Sequence, residues 1–481
     1  MSTVNVVNRS SSTRAAPAVV LGVMCAGMFF VLLDVTVVNV ALPAIGHDVG
    51  GGSATLQWVV DGYVVAIAGL LPAAGPVGDR IGHRPVVLTG FAVFGAASLA
   101  CALAPTAAAL IGARVVQGIG AALLLPSTLA VIVHAYPEAG ARSRALGVWA
   151  AASSLALPAG PLLGGLLVDR YGWRPVFGIN VPLGVAAMVG SAVVVAKRTG
   201  GSREGLDVLG TVALLMGLVG AVFTVIALGH GQGRVTVLGA VAVTVPALGV
   251  AWWSAGRARY PVLPPDLLRT REFLAPNLVA LIMNLVVNGL LFVCMLYLQN
   301  VRGWPPVWAG AAVLPLAVPL VVLAPLSGGL TARRGPRTAV ATGCVLAIAG
   351  SLLFARLPEG GIGWLLAGFA VLGCGAGLVT AAAVAAVVQA TPPDRPGVAT
   401  SVSNTARQTG TALGVAVFGV LAGPPTGPRF LGALHLISWS AAALWSVALL
   451  ASLLGIPGGA AHRAAAATSS HSPDPISAAG R

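Results

Sequence analysis

Few side chains in this chain can carry or exchange charge: Asp, Glu, Lys and Arg make up 8% of its 481 residues, against about 25% in an ordinary soluble domain. Two of them interrupt long apolar runs, Asp34 in LLDVTVVNVALP and Arg114 in LIGARVVQGIGAA. A carboxylate at the centre of a membrane helix costs about 2.5–3.5 kcal/mol on insertion scales, so it needs a partner or a wet cavity. Burial favours the neutral carboxyl and a nearby cation favours the carboxylate, and a group balanced between the two can exchange a proton. Arginine keeps its own proton. The chemistry these two residues suggest is proton exchange beside a fixed cation. The plainer alternatives are a hydrogen bond that orients one helix, or a buried ion pair that fixes packing. Thr36 and Asn39 extend a polar stripe from Asp34 towards Pro43. Gln117 and Gly118 follow Arg114 at spacings that share its helix face.

Asp61, in LQWVVDGYVV, is a second candidate proton or cation site. Its shallow place in the run, beside Gln57, Trp58 and Tyr63, fits a solvated interfacial carboxylate equally well. Arg407, in SNTARQTGTALG, either lines a cavity in the second half or snorkels to the surface, with snorkelling slightly favoured. In Gly75–Pro85, GPVGDRIGHRP, the glycines Gly75, Gly78 and Gly82 allow a tight turn and close backbone approach. Asp79 could there face a helix N-terminus or bridge to Arg80 and Arg84, a clasp for one conformation; an inert anchor of positive charge competes with that reading. In LALPAGPLLGGLL, Gly160 and Gly164 make a small-xxx-small face with Gly165 beside it, while Pro158 and Pro161 remove helix hydrogen bonds.

The elements that carry these residues follow from hydropathy. Mean hydropathy is +0.92, and apolar runs of about 20 residues predict an all-α polytopic membrane protein with 14 spanning helices. They fall near 17–42, 56–76, 86–104, 108–131, 145–167, 175–195, 208–228, 235–254, 274–298, 308–330, 338–355, 362–388, 402–422 and 432–455. The first run reads as a retained helix. The predicted organisation is an N-terminal tail 1–16, a six-helix bundle 17–196, two inserted helices within 197–272, a second six-helix bundle 273–455 and a disordered tail 456–481. Helix 1 would run outward and helix 4 inward, which sets Asp34 and Arg114 both roughly 10–14 Å below the outer surface, matched in depth and able to pair.

SGGLTARRGPR at Ser327–Arg337 echoes the opening cluster, with Arg333, Gly335 and Arg337 matching Arg80, Gly82 and Arg84. VDRYGWRP at Val168–Pro175 repeats GDRIGHRP on the opposite predicted face, as an inverted repeat would. The net charge of +14 does not point to nucleic acid: most of the 27 Lys and Arg lie in short loops on one side, which places both termini in the cytoplasm. The five cysteines sit in apolar runs without paired spacing. The seven histidines are scattered, no metal cluster or nucleophile constellation is evident, and there is no P-loop for ATP. The chain is therefore expected not to be an enzyme, to need no cofactor or metal, and to draw energy from an ion gradient.

Together these residues resemble the major facilitator superfamily, specifically its 14-helix drug:proton antiporter group as found among actinobacterial antibiotic and multidrug exporters. GPVGDRIGHRP looks like the loop 2–3 signature, ARVVQGIGAA the helix 4 signature and GPLLGG the helix 5 antiporter signature. LDVTVVNVALP, QWVVDGY and WRPVFGINVPLG look like elements of the 14-helix group. The resemblance covers about residues 17–455. It implies a major facilitator fold in the cell membrane and export of small amphipathic molecules by a monomer. Asp34 and Arg114 would carry proton coupling, with Asp61, Asn39 and Gln117 nearby. Gly75, Gly78, Asp79, Arg80, Gly82 and Arg84 would gate access, and Pro158, Gly160, Pro161, Gly164 and Gly165 would favour export. His83 where the family often has arginine, Pro85 after the cluster, and the scarcity of second-half acids depart from the pattern. The last weakens a preference for multivalent cations. An exporter or importer of an endogenous metabolite in the same superfamily is the alternative.

Overall fold

Proline and glycine set where the long apolar helices begin and end. The structure, a computed structural model, describes residues 16–50, 52–196, 205–357, 361–392, 396–425, 427 and 429–458. The first bundle comprises α1 (Pro17–Val49), α2 (Ser53–Ile81), α3 (His83–Ala102), α4 (Ala107–Ala135), α5 (Ala139–Ser154), α6 (Ala156–Tyr171), α7 (Arg174–Gly178) and α8 (Asn180–Val194). Then come α9 (Val208–Gly229), α10 (Arg234–Ala255) and the short α11 (Pro265–Leu268). The second bundle holds α12 (Arg271–Leu296), α13 (Pro306–Ala311), α14 (Leu314–Arg334), α15 (Pro336–Leu353), α16 (Ile362–Gln389), α17 (Pro396–Ala422) and α18 (Phe430–Gly455). The expected tails fall almost wholly outside the described residues.

Pairs α5–α6, α7–α8 and α13–α14 each make one crossing. Among the described residues, thirteen crossings are long and apolar enough to span a membrane. The fourteenth is α17, which carries Ser401, Ser403, Asn404, Thr405, Arg407, Gln408, Thr409 and Thr411 in succession before its apolar end. Polar side chains on a spanning helix face the protein interior, so its low apolarity is a sign of central position.

The echoes in the sequence share one backbone device. Gly82, Gly172 and Gly335 have φ of 95°, 77° and 81°, and their N–H groups close the preceding helix on Gly78, Val168 and Thr331 carbonyls at 2.8, 3.0 and 2.9 Å. Only glycine adopts this conformation without strain, so the same residue ends α2, α6 and α14. Gly90 and Gly343, at the same offset in the chain as Gly82 and Gly335, serve matching crossings: an added Cβ would meet the Gly120 carbonyl at 3.2 Å and the Gly375 carbonyl at 2.7 Å. Close glycine crossings give van der Waals contact where lipid offers no hydrophobic drive to helix association.

One end of the bundle carries Gly50, the other Gly82. The contacts that join the two bundles cluster at the Gly50 end. Gln57 Nε2 donates to the Ala416 carbonyl at 3.4 Å, and Gln299 Nε2 to the Val40 carbonyl at 3.0 Å. Gly165 lies so close to α13 that a Cβ would stand 2.5 Å from Val307 Cα. Towards the Gly82 end, Gly75, Gly147, Gly328 and Gly329 instead have open space beside them. Among the described residues these contacts close the space between the bundles at the Gly50 end.

The inserted pair is held by Asp207, which caps α9 at Gly210 N (2.8 Å) and accepts from Ser254 of α10 (2.6 Å). In α10 only 17% of the most apolar stretch is buried, against 78% in α2, so α10 is peripheral. α9 packs on α2, with Trp58 and Phe223 rings 6.2 Å apart.

Candidate functional site

Asp34, at mid-length of α1, bonds directly to two other helices, α4 and α8. Arg114 of α4 forms an ion pair with its Oδ2, Gln117 Nε2 donates to its Oδ1 at 3.0 Å, and Asn180 Nδ2 of α8 donates to the same oxygen at 2.7 Å. Arg114 also donates to Gln117 Oε1 at 2.6 Å and, through Nε, to the Val59 carbonyl of α2 at 3.0 Å. Gln117 reaches Ser98 of α3 at 2.8 Å. The guanidinium carbon stands 4.2 Å from the Tyr63 ring centroid and 5.6 Å from that of Phe177. Asp34 and Arg114 are each 1% exposed.

A buried ion pair holds only with good geometry and its remaining hydrogen-bonding capacity satisfied, and this one has both. Protonating Asp34 would cancel the partner of Arg114 in a dry site and weaken the bonds from Gln117 and Asn180. An unpaired buried guanidinium is strongly unfavourable, so uptake of a proton there favours rearrangement of α1 against α4 and α8. Asn180, Ser98 and Phe177 were not singled out by sequence, and Tyr63, expected at the interface beside Asp61, instead lies buried under Arg114; Asn180 and Phe177 do lie in WRPVFGINVPLG, and an asparagine opening an apolar helix was the available signal.

The glycines of α6 lie directly on the next turn of α1. Thr36 Oγ1 donates to the Ala156 carbonyl at 3.1 Å, an added Cβ on Gly160 would collide with that hydroxyl, and one on Gly164 would meet the Val37 carbonyl at 3.0 Å. On its other side Gly165 abuts Pro306 and Val307, and the Pro161 carbonyl seats against Gly310. Pro158 offers no N–H to the Ser154 carbonyl, and the helix breaks at Leu155 between α5 and α6. One short helix therefore touches both the turn beside Asp34 and the opposite bundle.

Other residues behave differently from expectation. Asp61 is no solvated interfacial group: it is 0% exposed and neither carboxyl oxygen has a partner. It shares a face with Gln57, one turn away, which points at α17. Gln57 and Tyr63 are likewise buried; the depth of Asp61 along α2 is shallow, but the residue is enclosed within the protein. Asn39 is buried and donates to the Val35 carbonyl at 3.1 Å, apart from the Asp34 network. Asp79 bridges to neither arginine. It pairs with His83 at 3.1 Å, because the absence of a Cβ on Gly78 lets the His83 ring fold back. Arg84 donates to the Ala192 carbonyl of α8 at 2.5 Å, while Arg80 is exposed. Arg407 is half-buried on α17, which has no exposed residue from Ser401 to Ala422, so it faces the protein's own cleft and does not snorkel to lipid. At the Gly50 end, Asp48 accepts from Trp173 Nε1 at 2.8 Å and pairs with Arg174, tying the end of α1 to α7.

Residues 24–415 match the model of the Major Facilitator Superfamily. The methylenomycin A resistance protein of Streptomyces coelicolor is 38% identical over 83% of this chain and 84% of its own. The tetracenomycin C resistance and export protein of Streptomyces glaucescens is 35% identical over 88% of this chain and 79% of its own. Among solved structures, a peptide transporter with alafosfalin bound superposes with a TM-score of 0.67 at 15% identity, covering 89% of this chain and 93% of that one; at that identity the likeness concerns the fold.

Proposed function

The chain belongs to the Major Facilitator Superfamily, and from that premise we propose that it is a proton-coupled exporter of small amphipathic molecules such as antibiotics, working by alternating access. The names of its relatives support export. The distribution of basic residues supports a cytoplasmic Gly82 end with both termini on that side, which makes the described conformation inward-open. An amphipathic solute enters the cleft from the cytoplasm or the inner leaflet. The Gly50 end then opens as the contacts of α6 with α13 and of α2 with α17 separate, and the solute leaves. A proton taken up at Asp34 loosens α1 from Arg114, Gln117 and Asn180, and its release to the cytoplasm restores the ion pair. Asp61 is a second group able to take a proton in the cycle. Energy comes from the proton gradient, without a bound cofactor.

The observation that carries this reading is that one carboxylate bonds side chains of α4 and α8 while the adjoining turn of its helix seats the glycines of α6. A change of charge at Asp34 thereby has a mechanical path to the closed end. The test is dye and antibiotic accumulation in everted membrane vesicles, with and without a protonophore. Uptake that collapses with the gradient and is lost in Asp34→Asn at equal expression is expected. Uptake indifferent to both refutes proton coupling through Asp34.

A further inference from the structure

Among the described residues of the second bundle, one charged side chain lies more than a turn from either end of its spanning helix, and it is a cation, Arg407 of α17. From residue 273 to residue 473 the only acids in the sequence are Glu359 and Asp394. The guanidinium of Arg407 has no hydrogen-bond or ion-pair partner among the described residues, while its carbonyl accepts from Thr411 Oγ1 at 3.2 Å. Its place on α17 can be read from its neighbours. At about 100° per residue, Gly410 and Gly414 mark the side of α17 that lies on α12, where an added Cβ would meet the backbone of Leu281 and Leu285. Gly419 marks the side that meets Gln57 of α2. Arg407, Thr411 and Asn404 fall between these two directions, towards the cleft between the bundles.

The facing wall of α12 is polar and neutral. Asn277, Asn284 and Asn288, spaced by seven and four residues, share one face, and Asn288 Nδ2 donates to Thr411 Oγ1 at 3.2 Å. α12 and α17 run in the same direction, so one turn along each from that bond sets half-buried Asn284 level with Arg407. The carboxylates that could offset Arg407 are withdrawn: Asp34 is engaged by Arg114, and Asp61 is sealed at 0% exposure, near the closed end. A solute in this part of the cleft meets a fixed guanidinium flanked by amide and hydroxyl groups.

The geometry points to a recognition site for the anionic head of an amphipathic solute, a carboxylate or phenolate held by Arg407 with Asn284 and Thr411 beside it. This rests on the export reading for its physiological use, and it names the charge class of the cargo. A guanidinium forks to a carboxylate in paired hydrogen bonds, whereas a cationic drug would be placed beside a like charge without compensation.

The test is equilibrium binding to the purified full-length chain in detergent, using two dyes on the same xanthene scaffold: fluorescein, an anion at neutral pH, and tetramethylrhodamine methyl ester, a cation. Fluorescein should bind at least about tenfold more tightly than the ester, Arg407→Gln should lose about tenfold or more of the fluorescein affinity, and Arg407→Lys, which keeps the charge without the paired hydrogen bonds, should lose less than Arg407→Gln. If Arg407→Gln does not fold, Asn284→Ala with Thr411→Val removes the flanking groups and should weaken fluorescein alone. Absence of fluorescein binding, preference for the cation, or affinity unmoved by these substitutions overturns the site. Fluorescein bound through Arg407 but not carried into everted vesicles under a proton gradient would refute export and leave the anion site standing.

Discussion

Gly165→Ala should open the closed end of this protein. The added Cβ would stand 2.5 Å from Val307 Cα and 2.7 Å from the Pro306 carbonyl oxygen, against 3.4–4 Å for ordinary contact. Both obstacles are backbone atoms, so no side chain can swing aside, and α6 must move from α13 by about 1 Å. Overpacking of this kind costs about 1–3 kcal/mol. Because α6 is helical whether the end is closed or open, the higher helix propensity of alanine cancels between the two states, and the cost falls on the closed state alone. A penalty of that size shifts the closed-to-open ratio about 5–150-fold. Spin labels at Tyr171 and Trp308, which are 70% and 63% exposed, in a background with the five native cysteines replaced, would report the separation. The short distance should dominate in the parent, and a longer one should appear in Gly165→Ala with loss of transport. Gly310→Ala, whose Cβ would strike the Pro161 carbonyl from the other side, should do the same. Gly75→Ala, with nothing within 4 Å, should not. Unchanged distances in both Gly165→Ala and Gly310→Ala would refute the argument that these contacts hold the end shut.

Three further outcomes follow from the same geometry. Asp34→Asn leaves Arg114 buried without its counter-charge and should cost about 3–5 kcal/mol; adding Arg114→Gln should recover much of that loss in detergent unfolding while transport stays absent. Asp61→Leu removes a sealed carboxyl without partners and should raise thermal stability by about 1–3 kcal/mol, read by the melting temperature of the purified chain; a fall would mean that Asp61 is paired. Gly82→Ala forces a side chain into φ of 95° and should destabilise by about 1–2 kcal/mol, checked by unfolding beside Gly95→Ala, where no atom lies within 4 Å of the added Cβ.

The sequence by itself determined how many times this chain crosses the membrane and how deep each unusual residue lies. Both are one-dimensional quantities: a spanning helix needs a fixed length of apolar residues, and depth follows from rise per residue, so Asp34 and Arg114 could be matched before their contact was seen. The turns at Gly82, Gly172 and Gly335 were legible for a similar reason, since a local conformation closed to other residues leaves its glycine in the pattern. What lies across from a residue is another matter, fixed by which helix packs beside it. Only the tertiary structure placed Asn180, Ser98 and Tyr63 around the ion pair and buried Asp61, which depth alone had left at the interface. It also turned Asp79 to His83 and set Arg407 towards a cleft. Small residues let several helix neighbours fit equally well by composition, and the choice among them is made by the close approach of backbones at Gly160, Gly165 and Gly310. Which end of the cleft is closed depends on those contacts between distant segments, and no local window of the chain contains them.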